Sequence, residues 1–258
     1  MTQSAEKFFE DWAPAYHLVF GDWNAAIEQH ASVLKHILPP PAVAGEVLDC
    51  ACGIGTQVIG LARAGYKVTG TDLSSAMLER AREEIAARGL DSAGIELRVD
   101  DMCSLQTCPP QHYGAVIVCD NCLVYLDSDD EVRAALIAMH ERLRQGGKLV
   151  ISLRDYDSLM KLRPPLTAPY MISDNGLRRI VHQVWDWHDE RHYTCHVHIT
   201  YQTPDLAWVA RHIVGRCRSI TSEELVSHLR SIGFEQIQIL PAAATGFHQP
   251  IVTALKGR

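Results

Sequence analysis

The chain has 258 residues, 47% of them hydrophobic, with 31 acidic against 24 basic side chains and a formal net charge of −7. That length can bury a substantial core, and the acidic balance argues against a nucleic-acid partner, which needs a basic surface. No apolar run reaches bilayer-spanning length and Met1–Lys7 lacks a signal-peptide hydrophobic stretch, so a cytoplasmic protein with no membrane partner is expected.

Phe8 to Ile37 reads as helical with a break near Phe20-Gly21-Asp22-Trp23-Asn24, and Pro39-Pro40-Pro41 ends it because proline cannot continue a helix. Residues 1–41 are expected to form a helical lid. From Glu46 to Leu153, short β-branched strands alternate with helices at 58–64, 74–88 and 129–144, the second opened by capping serines at 74 and 75. Such alternation implies right-handed crossovers and a parallel sheet covered on both faces, a Rossmann-like α/β core over 42–154. Beyond it, Arg163-Pro164-Pro165 reads as a loop, and 179–187, 192–201 and 208–216 as three strands at hairpin spacing. They predict an antiparallel β insertion over 155–218. The core returns over 219–258, with a helix at 222–232 between a capping pattern at Thr221–Glu224 and a stop at Gly233, then strands at 234–240 and 251–255. The expected sheet has seven strands, mostly parallel with one antiparallel, flanked by helices.

The run Val47-Leu48-Asp49-Cys50-Ala51-Cys52-Gly53-Ile54-Gly55-Thr56 sets an apolar strand, an acid and a glycine turn ahead of an amphipathic helix. The glycines let a ligand approach the backbone, and a second acid, Asp72, ends the next strand where a ribose-binding carboxylate belongs. A dinucleotide would want a third glycine, where Val58 stands, and its pyrophosphate would be repelled by Asp49. S-adenosylmethionine, with an ammonium, a carboxylate and a ribose but no phosphate, suits both acids. A dinucleotide oxidoreductase and a non-catalytic cofactor-binding scaffold are the readings from other classes.

These residues resemble the class I S-adenosylmethionine-dependent methyltransferases. The form Asp-x-Ala-Cys-Gly-x-Gly at 49–55 is similar to their first motif, Val99-Asp100-Asp101-Met102 to their acidic third-strand end, 115–121 to their fourth strand, and Leu143 to Ile151 to the turn feeding their fifth. The resemblance implies that Asp49, Ala51, Gly53 and Gly55 hold the amino-acid end of S-adenosylmethionine, with S-adenosylhomocysteine as product. It places Asp72 and Leu73 at the ribose, Asp101 and Met102 at the adenine, and Met77, Cys119 and Tyr16 along the cofactor.

Within that family the chain is most similar to the glycine and sarcosine N-methyltransferase type. Cys119 to Leu126 resembles "L-G-N-S-F-A-H-L" and Ile151 to Asp157 resembles "I-D-H-R-N-Y-D". The likeness implies that Asn121, Arg154 and Tyr156 orient a small polar methyl acceptor. Asp155 and Tyr125 depart from the pattern, at an asparagine and a histidine respectively, so the acceptor itself stays open. Methyl transfer to an amine asks chiefly for alignment and exclusion of water. An O-methyltransferase would need a base, for which His17, His182 or His248 could serve. Bland roles compete too: Arg154 could pair with Asp155 or Asp157, and Asn121 could cap the following turn. A homodimer is possible.

Eight scattered cysteines lack a completed zinc template and read as buried free thiols. In the strand from His192 to Ile199, alternation puts His192, His196 and His198 on one face, expected to be solvated rather than to hold a metal.

Overall fold

Strictly apolar strands read from the sequence demand burial on both sides, and the fold supplies it. The computed structural model describes residues 5–90, 94–174 and 176–257, so Met1 to Ser4 of the stretch inspected for a signal peptide lie outside it. The core strands are β1 (Glu46–Asp49), β2 (Lys67–Asp72), β3 (Ile95–Val99), β4 (Tyr113–Val118) and β5 (Leu143–Ser152). The insertion contributes β6 (Tyr170–Asp174), β7 (Leu177–Trp187), β8 (His192–Gln202) and β9 (Trp208–Arg218), and the chain closes with β10 (Phe234–Leu240) and β11 (Ile251–Lys256). Seven strands form one sheet in the order β10-β11-β5-β4-β1-β2-β3, in which only β11 runs against the rest. Every residue of β4 is buried. The strand order reverses between β1 and β4, and there open α/β sheets form ligand crevices at the carboxyl ends of the strands.

The helices are α1 (Ala5–Trp12), α2 (Trp23–Ile37), α3 (Pro41–Ala44), α4 (Thr56–Arg63), α5 (Ser75–Ala87), α6 (Asp129–Arg142), α7 (Tyr156–Leu162), α8 (Ser222–Ile232) and α9 (Ala242–Thr245). Ser74 caps α5 through the Met77 amide, and Thr221 with Glu224 closes the expected capping box on α8. Gly55, at φ 90°, caps α4 from the left-handed region that favours glycine. Val58, at the place where a dinucleotide motif keeps a glycine, packs fully buried against Gly70 of β2. A Cβ on Gly70 would come within 3.0 Å of Val58 Cγ2, so the close helix–strand approach is preserved with the small residue moved to the strand.

The insertion departs from expectation in two elements. Tyr156 to Leu162 is a helix, started by Asp155, whose side chain accepts the Ser158 amide. A fourth strand, β6, pairs with β7. Both are short, and the Pro164-Pro165 pair between them breaks the periodicity a sequence reading depends on. The predicted helix over 129–144 stops at Arg142 because Leu143 is extended and pairs with Tyr113. Between α1 and α2 the break is a 3-10 segment, Ala13–Val19.

This N-terminal segment is fastened to the insertion. The Arg179 guanidinium, buried, donates to the carbonyls of Leu18, Phe20 and Gly21, and Tyr170 Oη donates to Val19 O. Phe8 lies on Gly215 of β9 so closely that a Cβ there would come within 2.7 Å of its ring. The lid and the four-stranded sheet therefore close over the carboxyl edge of the seven-stranded sheet from one side.

Candidate active site

Two cavities meet beneath the lid. The smaller, about 80 Å³, is lined by Ala51, Gly53, Asp72, Leu73, Met77, Asp101 and Met102, all expected at the cofactor, together with Cys50, Asp100 and Leu126. The larger, about 640 Å³, is lined by Arg154, Asn121, Asp120, His30, His248 and Gln249, and by Gln183, Tyr193 and Cys195 of the insertion. Phe9, Tyr16, Cys122 and Tyr125 line both and form the partition between them.

Next in sequence to Cys50 and Ala51 of the smaller cavity's lining, β1 delivers Asp49 to the reversal point fully buried, with neither carboxylate oxygen hydrogen-bonded. Burial, then the nearby Asp120 and Asp72 charges, push its carboxyl well above the usual range. A buried acid without a donor is costly unless a ligand completes it. Asp72, at the end of β2, accepts from Gly53 N and Ser74 N, both at 2.9 Å, which ties the glycine turn to the second strand. Burial raises it to about 6 against those amides. Asp101 accepts the Cys103 amide at 2.8 Å, while the neighbouring Asp100 is spent on the backbone of Asp101, Gln106 and Thr107. Asp49, Gly55 and Cys119 line neither cavity. Gly55 acts through the α4 cap, and Cys119 is buried at the end of β4. All eight cysteines are free, as expected; six are buried, whereas Cys103 and Cys122 are only half-buried.

At the larger cavity, the backbone after β4 turns left-handed at Asp120 and Asn121. Asn121 does not cap the short helical turn that follows. Its Oδ1 accepts from Arg154 N at 3.1 Å, and its Nδ2 donates to Tyr156 Oη at 3.0 Å. Tyr156 Oη also shares a hydrogen bond with Tyr193 Oη at 2.7 Å. Tyr156 is thus buried behind the cavity wall rather than in it, and its hydroxyl is committed to holding Asn121. Arg154 pairs with neither Asp155 nor Asp157: Asp155 caps α7, and Asp157 accepts the Ser222 amide. Among the described residues the guanidinium forms no ion pair. It donates to Gln183 Oε1 at 3.1 Å and lies 5.0 Å from the Trp185 ring centroid.

Tyr16 stands at the partition, its hydroxyl pushed far up first by burial and then by Asp120, so it is a neutral donor at physiological pH. Of the three histidines considered as bases, only His248 lines a cavity; His17 and His182 line neither. The histidine-rich face of the insertion is turned away from the site. His182, His198 and His212 stack across β7, β8 and β9 at 4.8 and 4.5 Å between centroids, while the opposite face supplies Gln183, Tyr193 and Cys195. Asp120, Gln57 and His30 were not singled out from sequence. Nothing local marks them, since α2, α4 and the β4 loop bring them together, with Gln57 27 residues from His30 and 63 from Asp120.

The geometry is that of an open α/β sheet with a ligand crevice: seven strands with one reversed, an acid at the end of β1, a glycine turn into α4 and an acid ending β2. Residues 47–147 match the family described as "Methyltransferase domain". The chain is 30% identical over 174 residues to glycine N-methyltransferase of Oryctolagus cuniculus, covering 63% of this chain and 59% of that protein. In fold it is similar to DesVI of Streptomyces venezuelae, with a TM-score of 0.75, 20% identity and coverage of 96% and 99%. It is also similar to a sugar N-methyltransferase from Streptoalloteichus, with a TM-score of 0.70, 18% identity and coverage of 92% and 89%. The chain spans little more than half the length of the curated relatives it matches. Among the described residues no helix is long and apolar enough to cross a membrane.

Proposed function

We propose that this protein transfers a methyl group to the nitrogen of a small polar molecule that carries both an amine and an anionic group. One observation carries the reading: a single cavity beside the cofactor site presents Arg154, a guanidinium with no carboxylate partner, together with Asp120, whose Oδ1 is buried and lacks a hydrogen-bond donor. Arg154 without a carboxylate partner and Asp120, whose Oδ1 faces only a histidine ring at 3.3 Å, suit a ligand of the opposite polarity, an anion on Arg154 and a cationic amine toward Asp120. The printed names of relatives as glycine, glycine/sarcosine and sugar N-methyltransferases support nitrogen as the acceptor atom.

The residues around the smaller cavity fit the cofactor. Asp49 offers an orphaned carboxylate to an ammonium, Gly53 and Ala51 leave the backbone open, Asp72 faces the ribose side, and Leu73, Met77 and Met102 give apolar walls. S-adenosylmethionine, when bound, supplies an electrophilic methyl on a sulfonium. Arg154 fixes the anionic end of the acceptor, held in turn by Gln183 and by the Trp185 face. Asn121, clamped between Arg154 N and Tyr156 Oη, is held in the wall of the larger cavity. Phe9, Tyr16 and Tyr125 exclude water from the partition, so orientation and desolvation carry most of the acceleration.

The test is transfer of labelled methyl from S-adenosylmethionine to a panel of small amino acids, amino sugars and hydroxy acids. Label on an amine that also bears an anionic group is expected. Label confined to hydroxyls, or none on any member while an extract of small metabolites is also refused, would overturn the reading.

A further inference from the structure

Asp120 sits at φ 61° and Asn121 repeats the left-handed conformation at φ 71°. Successive side-chain-bearing residues there are uncommon, and strain of this kind gathers at functional sites. Glycine would hold the position without the strain. Aspartate instead puts a carboxylate on the wall of the larger cavity, where a network fixes it. Gln57 Nε2 donates to Asp120 Oδ2 at 2.7 Å and to His30 Nδ1 at 3.1 Å. Asp120 N donates to Ser152 Oγ at 2.8 Å, and Ser152 Oγ donates to Gln249 Oε1 at 3.1 Å, which ties the Asp120 loop to the segment bearing His248. The remaining oxygen, Oδ1, has no donor and faces His248 Nε2 at 3.3 Å.

We propose that His248 is the general base of this enzyme, removing a proton from the acceptor's ammonium, with Asp120 as the positioning residue that steadies the resulting imidazolium. The proposal rests on the N-methylation reading above. An amine arrives at neutral pH largely as an ammonium, which has no lone pair. His248 takes one proton. The freed nitrogen pair forms the new N–C bond as the methyl's bond to sulfur breaks, and that electron pair stays on sulfur. The imidazolium then loses its proton to water through the exposed edge of the ring, whose side chain is 45% accessible.

Three charged or titratable groups face His248: Asp120 from the β4 loop, Arg154 from the end of β5, and His30 stacked on it from α2 at 5.1 Å between centroids. Burial, with Arg154, lowers its pKa against the pull of Asp120, which keeps the ring neutral and basic at pH 7. The same three side chains, His30, Asp120 and His248, lie close enough to suggest a cation site. Gln57 argues against it. Its amide nitrogen donates to Asp120, so it also donates to His30 Nδ1 and occupies a lone pair that a metal would need.

The first test needs no acceptor. Histidine NMR titration of the S-adenosylhomocysteine complex should show His248 titrating below the ordinary value of 6.5. Asp120→Asn should lower that midpoint by roughly half a unit or more. A midpoint unmoved by Asp120→Asn overturns the proposal, whatever the acceptor proves to be. With an amine acceptor, His248→Gln should cut kcat/KM at pH 7 by about 100-fold, remove the acid limb of the pH profile and leave S-adenosylhomocysteine affinity within about twofold. Loss of less than about threefold with the acid limb intact contradicts it. Calorimetry with Zn2+ alone should show no tight site; tight binding abolished in His248→Gln would make the cluster a metal centre and overturn the proposal. Failure of the acceptor panel bears on the N-methylation reading alone, because the NMR result stands apart from it.

Discussion

The two cavities are made by different kinds of sequence. The proposed cofactor end is built from residues at the ends of adjacent parallel strands: Gly53 after β1, Asp72 with Leu73 after β2, Asp101 with Met102 after β3, with Asp49 buried at the end of β1. Each strand end carries its chemistry within a few residues, and the sheet's own geometry brings the three ends together. The acceptor end draws Arg154 from β5, Asp120 from β4, Gln57 from α4, His30 from α2, His248 from the last loop and Gln183 from the insertion. No two of these are near neighbours in sequence. A parallel sheet therefore writes its cofactor site locally, while the surface that selects the acceptor depends on how an insertion and two terminal segments are laid over it.

If the ends are as separate as this, variants should break one without the other. The largest effect is expected at Asp49. Asp49→Asn should weaken S-adenosylhomocysteine by about 100-fold or more in calorimetry, roughly 3 kcal/mol, because the ligand's ammonium loses its buried carboxylate partner. The same change should stabilise the free protein. The folded pKa of Asp49 is raised, so its contribution to stability is lost as pH rises from the unfolded value of 3.8 through the folded one. At pH 8 the ligand-free Asp49→Asn variant should melt a few degrees higher than the unaltered protein in scanning calorimetry. A lower melting point would mean the carboxylate is structural.

Next in size is Arg154→Ala, expected to reduce kcat/KM by about 100-fold in steady-state assays, mainly through the acceptor KM. Arg154→Lys should recover little, since an ammonium offers neither the planar fork nor the stacking on Trp185. A smaller effect is expected from pH. Asp72 has its folded pKa raised to about 6, so S-adenosylhomocysteine affinity should fall as pH drops through 6, approaching tenfold per unit below it. Asp72→Asn should flatten that dependence in calorimetry across pH 5 to 7. The smallest is Trp185→Leu, which removes the aromatic face beneath Arg154 and should raise the acceptor KM roughly fivefold, about 1 kcal/mol.

The single reversed strand, the capping box at Thr221, the glycine turn and the acid ending β2 follow from local patterns: periodicity, caps and acids at strand ends. Ala51, Leu73, Met77, Asp101 and Met102, which line the smaller cavity, and Arg154 and Asn121, which line the larger, came through the family resemblance, as did Tyr156, whose hydroxyl lies behind the wall. The Asp120–His248–Gln57–His30 network was not legible. Its members touch through tertiary packing between distant parts of the chain, Gln57 with Asp120 and His30 with His248, and no spacing announces it. In the histidine-rich strand alternation assigned the faces correctly, but only packing shows that the face opposite the histidines meets the larger cavity. Helix α7 and strand β6 were missed because each is too short for a period to establish itself beside Pro164 and Pro165.

The separation of the two ends is tested most directly by calorimetric titration of S-adenosylhomocysteine into Asp49→Asn and Arg154→Ala side by side. We expect affinity in Arg154→Ala within about twofold of the unaltered protein and a loss of about 100-fold in Asp49→Asn. Equal losses in both variants would contradict the account, because Arg154 would then belong to the cofactor site or to the fold itself.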